Sequence, residues 1–254
     1  MNKLITLSLA GVLLGSAAAL AGAGKDVTIR FDARVGDKAL RCGETYTDLG
    51  KTGAKVSLQD FRIYVSEVRL VSADGRETPV ALTPDDAFQS DRVALLDFEN
   101  ATGNCNGNAP MHTEIEGQAP AGDYVGLAFT IGVPADLNHA DPTLAGPPLN
   151  FSALGWPWRY GYKFTTIDLE TGRKPDMGHG GHEASGFSIH LGSVDCGDGA
   201  PTTPPETPCA TPNRPEFRLK TFDPAKDIVV LDLAALLAET DVTVNAPDSP
   251  SGCM

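Results

Sequence analysis

Val125-Gly126-Leu127-Ala128-Phe129-Thr130-Ile131 carries a large apolar side chain at every second position and is entered through Pro120-Ala121-Gly122-Asp123. A period of two is that of a β-strand with one face on a core. Val27, Ile29 and Phe31 repeat the pattern, and so do Phe61, Ile63 and Val65. After Val65 the next apolar residues are Val68 and Leu70, so the apolar face shifts by one near Ser66, which predicts a bulge. Further strands are expected within 93–98, 160–169, 187–191, 217–219 and 228–231, with Val242 and Val244 near the end. Helix signals are few: Thr83-Pro84-Asp85-Asp86 has the form of a helix start, and 232–239 allows two turns. Many short strands between clusters of Gly, Pro, Asn and Asp predict an all-β fold. We expect a single antiparallel β-sandwich or barrel-like domain with long loops and one or two short helices.

The chain of 254 residues carries 33 acidic against 20 basic side chains, the wrong sign for tracking phosphates, so no nucleic-acid partner is expected. Lys3 precedes an apolar run over 4–14 and then small residues up to Ala21, the form of a cleaved secretory signal over 1–21 with the domain over 22–254. No later run reaches the roughly 18 apolar residues that a membrane span needs. A periplasmic or secreted location follows.

Exported cysteines are expected as disulfides. Cys196 and Cys209 bracket a loop rich in Pro and Thr, which a bridge would restrain; Cys42 and Cys105 then pair, one of three arrangements open to four cysteines. Cys253 is left over.

His190 lies in Phe187-Ser188-Ile189-His190-Leu191-Gly192-Ser193, where Phe187, Ile189 and Leu191 share a face; His190 points the other way, with small neighbours that leave room for an ion. His139 follows the opening strand in Leu137-Asn138-His139-Ala140-Asp141, where Asp141 is placed to orient the ring or to close a turn. His179 and His182 sit in Asp176-Met177-Gly178-His179-Gly180-Gly181-His182-Glu183, and their imidazoles with the Met177 thioether suit copper better than calcium or magnesium. A solvated hairpin tip is the bland alternative. His112 beside Met111 is a further soft pair. Trp156 and Trp158 flank Pro157 and lead into Tyr160 and Tyr162, as core filling or as oxidisable aromatic surface. Gly-x-Ser-x-Gly, P-loop and His-Glu-x-x-His patterns are absent, which removes the commonest hydrolase and nucleotide sites.

Several segments together resemble the MbnP-like exported proteins, the four-Cys half of the "metallo-mystery pair". They are Phe61-Arg62-Ile63-Tyr64-Val65-Ser66-Glu67-Val68-Arg69-Leu70, Leu95-Leu96-Asp97-Phe98-Glu99-Asn100, Gly132-Val133-Pro134 through Asp141-Pro142, and Pro148-Leu149-Asn150. Trp156-x-Trp158 with Gly161-Tyr162-Lys163-Phe164, then His190-Leu191-Gly192-Ser193 with Cys196, complete the series. The resemblance implies a β-sandwich that is the substrate, not the catalyst, of a di-haem cytochrome c peroxidase-like enzyme. That partner oxidises a tryptophan to kynurenine, whose amine joins histidines around copper in copper acquisition or homeostasis. Carried over, Trp156 or Trp158 is the modified residue, His139 and His190 are ligands, and His179, His182 and Met177 are auxiliary. Two other functions fit the same residues: a copper-dependent oxidoreductase in its own right, and a carbohydrate-recognition or adhesion sandwich with the tryptophans as platform.

Overall fold

The computed structural model describes residues 24–157, 159–172, 176–177, 183–184 and 186–244. In chain order its strands are β1 (Lys25–Val35), β2 (Lys38–Ala39), β3 (Thr45–Leu49), β4 (Ala54–Ser72), β5 (Glu77–Pro79), β6 (Ala81–Leu82), β7 (Val93–Asp97) and β8 (Glu114–Ala119). They continue with β9 (Tyr124–Ile131), β10 (Thr165–Glu170), β11 (Asp176–Met177), β12 (Glu183–Ala184), β13 (Phe187–Leu191), β14 (Glu216–Leu219) and β15 (Ile228–Asp232). One α-helix, α1 (Leu233–Leu237), closes the series.

The strands form two main sheets. The larger runs β13-β10-β4-β9-β14, with β3, β5 and β7 also on β4; the smaller runs β15-β1-β8-β6, with β2 on β1. β4 organises the larger sheet because its 19 residues are long enough to pair with β10 and then β9 along one edge, and with β3, β7 and β5 along the other. The bulge expected near Ser66 is present: the β4–β9 register shifts between Ser66 and Arg69, and Glu67 takes a positive φ of 53°. The extra residue lets Phe61, Ile63, Val65, Val68 and Leu70 all be buried. Across the core, Ile29 and Phe31 of β1 meet the larger sheet, with Phe31 edge-on to Phe129 at 5.7 Å. Each such side chain, fully withdrawn from water, contributes roughly 1.5–3 kcal/mol.

The structure corrects the sequence reading in several places. β15 pairs with β1 in parallel, Phe31 opposite Val229, so the smaller sheet is not purely antiparallel. Thr83-Pro84-Asp85-Asp86 starts no helix; the Asp85 carboxylate accepts from the amides of Ala87, Phe88 and Gln89 at 2.7–2.9 Å and closes a loop instead. The 160–169 strand begins only at Thr165, and Val242 and Val244 lie in a turn and a bend rather than a strand. The second expected helix is α1, capped by Asp232, whose carboxylate accepts from Ala234 N at 2.9 Å. Both expected disulfides form, Cys42–Cys105 and Cys196–Cys209. No helix among the described residues is long and apolar enough to cross a membrane.

Candidate functional site

The polar face of the larger sheet carries His190. Asp97, Arg62, Thr166 and His190 lie in one row across β7, β4, β10 and β13; Asp60, Asp168 and Ser188 form the next. His190 Nε2 lies 2.9 Å from Asp168 Oδ1. A carboxylate only accepts, so Nε2 carries the proton and the neutral ring offers its lone pair at Nδ1. Burial raises the Asp168 carboxyl, but the hydrogen bonds from His190 and Ser188 and the charges of His190 and Lys163 together outweigh it and hold the group below its ordinary range. Beneath them Arg62 and Asp60 form a buried bidentate pair, with Arg62 Nε 2.8 Å from Oδ1. Burial pushes Asp60 up to about 6 against the pull of that guanidinium, and pushes the fully enclosed Asp97 up to about 7.

Trp156 comes to this strand from a distant loop. A Cβ built on Gly192 would lie 2.3 Å from Trp156 Cζ3, so the indole occupies the space that a side chain at 192 would fill. The His139 loop is fastened to the same end by Asn138, which is buried: its Oδ1 accepts from Tyr162 N at 3.0 Å and its Nδ2 donates to Ser193 Oγ at 3.3 Å. Gly161, at φ 75°, lets the backbone pass; a Cβ there would come within 2.6 Å of Asn138. His139 Nε2 lies 3.4 Å from Asn138 Nδ2 and 3.5 Å from Cys209 Sγ. An amide N–H can only donate, which marks Nε2 as the lone-pair nitrogen. His139 and the two sulfurs of Cys196–Cys209 have their donor atoms within 4.8 Å of one another. Asp141 closes a turn on Thr143, with Oδ1 2.9 Å from the Thr143 amide.

An open cleft of about 710 Å³ exposes this end, lined by Trp156, Pro157, Tyr160, Ser193 and the Cys196 to Asp198 loop. Arg159 is buried beneath it and donates to the carbonyls of Cys196, Gly197 and Ala200 at 3.2–3.4 Å, which pins the loop to the tryptophan segment. Thus Trp156 meets Gly192, and Asn138, beside His139, meets Ser193, on the stretch that follows His190. Trp158, His179 and His182 lie outside the described residues, and Met177 enters only through the backbone of β11, paired with β12. Asp168, Asn138 and Arg159 escaped the sequence reading. The visible sign was a charge or amide in an otherwise apolar or turn segment, which says nothing of its partner.

An all-β, disulfide-braced domain with an aromatic-lined cleft at one sheet end is the class that fold and site define. The chain belongs to the MbnP family, whose model matches residues 24–254. Its structure is similar to that of MbnP from Methylosinus trichosporium, with a TM-score of 0.79 and 35% identity over 91% of this chain and 83% of that one. No curated protein matches the chain. The two disulfides fit an extracytoplasmic setting.

Proposed function

We propose that the protein is an exported copper-binding protein that takes part in copper acquisition or homeostasis, and is the substrate rather than the catalyst of its maturation. The observation that carries this is the placement of the Trp156 indole against Gly192, two residues from His190 in sequence, in a cleft open to solvent. An indole is a very poor metal ligand. Oxidative cleavage of its C2–C3 bond, with two oxygen atoms supplied by dioxygen or peroxide through the haem enzyme, and hydrolysis that releases the formyl carbon as formate, leaves an aromatic amine on the same side chain. A di-haem cytochrome c peroxidase-like enzyme is the proposed oxidant, and Trp158 the other candidate for modification. His190 through Nδ1 and His139 through Nε2 would supply imidazole nitrogens, a donor set that suits copper. Asp168 and Asn138 hold the two rings. His179, His182 and Met177 would serve as auxiliary ligands.

Intact-mass spectrometry of the protein co-expressed with the di-haem enzyme tests this. We expect conversion at Trp156 or Trp158, copper uptake by the modified form, and loss of uptake in His139→Ala and His190→Ala. An unmodified chain indifferent to copper overturns it. Trp156 and Tyr160 lining one open cleft also favour a second reading, a sugar platform. Glycan binding that survives both histidine changes, with no metal uptake, would establish that reading.

A further inference from the structure

The Cys196–Cys209 bridge spans two backbones that are already tied together without it. Val194 and Thr211 exchange backbone hydrogen bonds at 2.9 and 3.2 Å, Ala210 N donates to Asp195 O at 3.0 Å, and Thr211 Oγ1 donates to Asp195 Oδ2 at 2.9 Å. Cys196 follows Asp195 and Cys209 precedes Ala210, so these bonds fix both cysteine backbones without using sulfur. Arg159 adds a further tie, from Nη1 to Cys196 O at 3.2 Å. Opening the S–S bond therefore leaves two thiols on backbones whose Cα atoms are 4.0 Å apart.

A third donor stands beside them. His139 Nε2 lies 3.5 Å from Cys209 Sγ, and the donor atoms of His139, Cys196 and Cys209 all fall within 4.8 Å of one another. The His139 segment keeps its place independently of the bridge, because the buried Asn138 is bonded to Tyr162 N and Ser193 Oγ. Cys196 also lines the open cleft, which gives an attacking thiolate its approach. The other bridge, Cys42–Cys105, differs on the point that matters. Its neighbouring donor is the Glu99 carboxylate, whose oxygens already accept from the amides of Ala101 and Asn108.

We propose that Cys196–Cys209 is a reducible bridge whose opened form, with His139, makes a second metal site, for monovalent copper. A thiolate of a dithiol reductant attacks Cys196 Sγ, and Cys209 leaves as a thiolate beside His139. The reductant's second thiol then releases Cys196, and the reductant departs as its own disulfide, having given up two electrons. Its two protons pass to the cysteines and go to solvent when the ion binds. Two thiolates at about 2.3 Å from one ion stand roughly 4 Å apart, within reach of this pair, and thiolate with imidazole suits a soft cation. The site shares His139 with the reading above but needs neither His190 nor a modified tryptophan.

Cu⁺ titration of the full chain against a chromophoric chelator tests this, in a Cys253→Ser background never exposed to the haem enzyme. It is run before treatment with dithiothreitol and after its anaerobic removal. The reduced chain is expected to take up one Cu⁺ that the oxidised chain does not. Cys196→Ser or Cys209→Ser should weaken that event roughly 100-fold, and His139→Ala roughly 10-fold. A folded chain in which dithiothreitol leaves Cys196 and Cys209 closed to alkylation overturns the proposal, as does native Cu⁺ affinity in His139→Ala. Should a variant fail to fold, copper K-edge absorption of the reduced parent chain decides: sulfur with imidazole nitrogen supports the site, and sulfur alone excludes it. Because the chain is unmodified throughout, failure here leaves the kynurenine reading standing, and an unconverted tryptophan leaves this site standing.

Discussion

His190 and His112 are held by opposite means. His190 gives its Nε2 proton to a carboxylate and keeps Nδ1; His112 gives its Nδ1 proton to a backbone carbonyl and keeps Nε2. The anchor thus decides which nitrogen a ring presents, and it also decides the local charge. The anchor behind His190 is an aspartate carboxylate, whereas the neutral carbonyl behind His112 leaves the negative charge in front, on Asp85. One row of the sheet links the two settings: Asp97 clasps the His112 backbone and stands opposite Arg62, which stands opposite Thr166 and, beyond it, His190.

The largest effect is expected at the disulfide that borders the tryptophan cleft. Replacing Cys196 and Cys209 with serine should cost roughly 3 kcal/mol of stability in urea unfolding, loosening the loop under Trp156.

Asp97 sharpens the link between the two histidines. Its carboxyl, raised by burial to about 7 in the fold, holds a proton that the unfolded chain has lost between about pH 4 and 7. The native state binds more protons across that window, so stability falls as pH rises through it and is lowest above 7. Melts at pH 5 and pH 8 should differ by on the order of 2–3 kcal/mol from this group, and Asp97→Asn should flatten the difference. A wild-type profile that rises from pH 5 to 8 would contradict the raised value.

At the tryptophan end, Gly192→Val places carbon where the indole rests. Copper affinity after co-expression should fall about 100-fold, or about 2.7 kcal/mol, as read by competition with a chelator. Native affinity in that variant would separate the indole from the site. The smallest effect is expected for Asp168→Asn, which leaves His190 in place but removes its charged anchor. Copper binding should weaken roughly 10- to 100-fold.

Much of the architecture was legible because it is written in period-two alternation. The strand of Val125 to Ile131, the face switch at Ser66 and the outward turn of His190 needed only local reading. β8 escaped because Glu114-Ile115-Glu116-Gly117-Gln118-Ala119 offers one large apolar residue and a glycine at the next inward position. The 83–86 segment misled because Asp beside Pro serves a loop cap as well as a helix cap, and the three amides it takes decide the matter. Long-range meetings left no trace: Trp156 against Gly192, Asn138 between Tyr162 and Ser193, and Asp85 facing His112 across 27 residues. The disulfides were the exception, since few cysteines leave few pairings.

The parallel β1–β15 pair carries a consequence for how the chain reaches this form. Its members are the earliest and latest strands among the described residues, with Arg30 opposite Ile228. Whether the polypeptide emerges from a ribosome or threads through a secretion pore, its first strand must idle with one edge bare until the final one arrives. Closure is therefore a terminal event, and slow in the manner of topologies dominated by distant partners. Any factor that shields the waiting edge would govern yield more than any adjustment to the finished core.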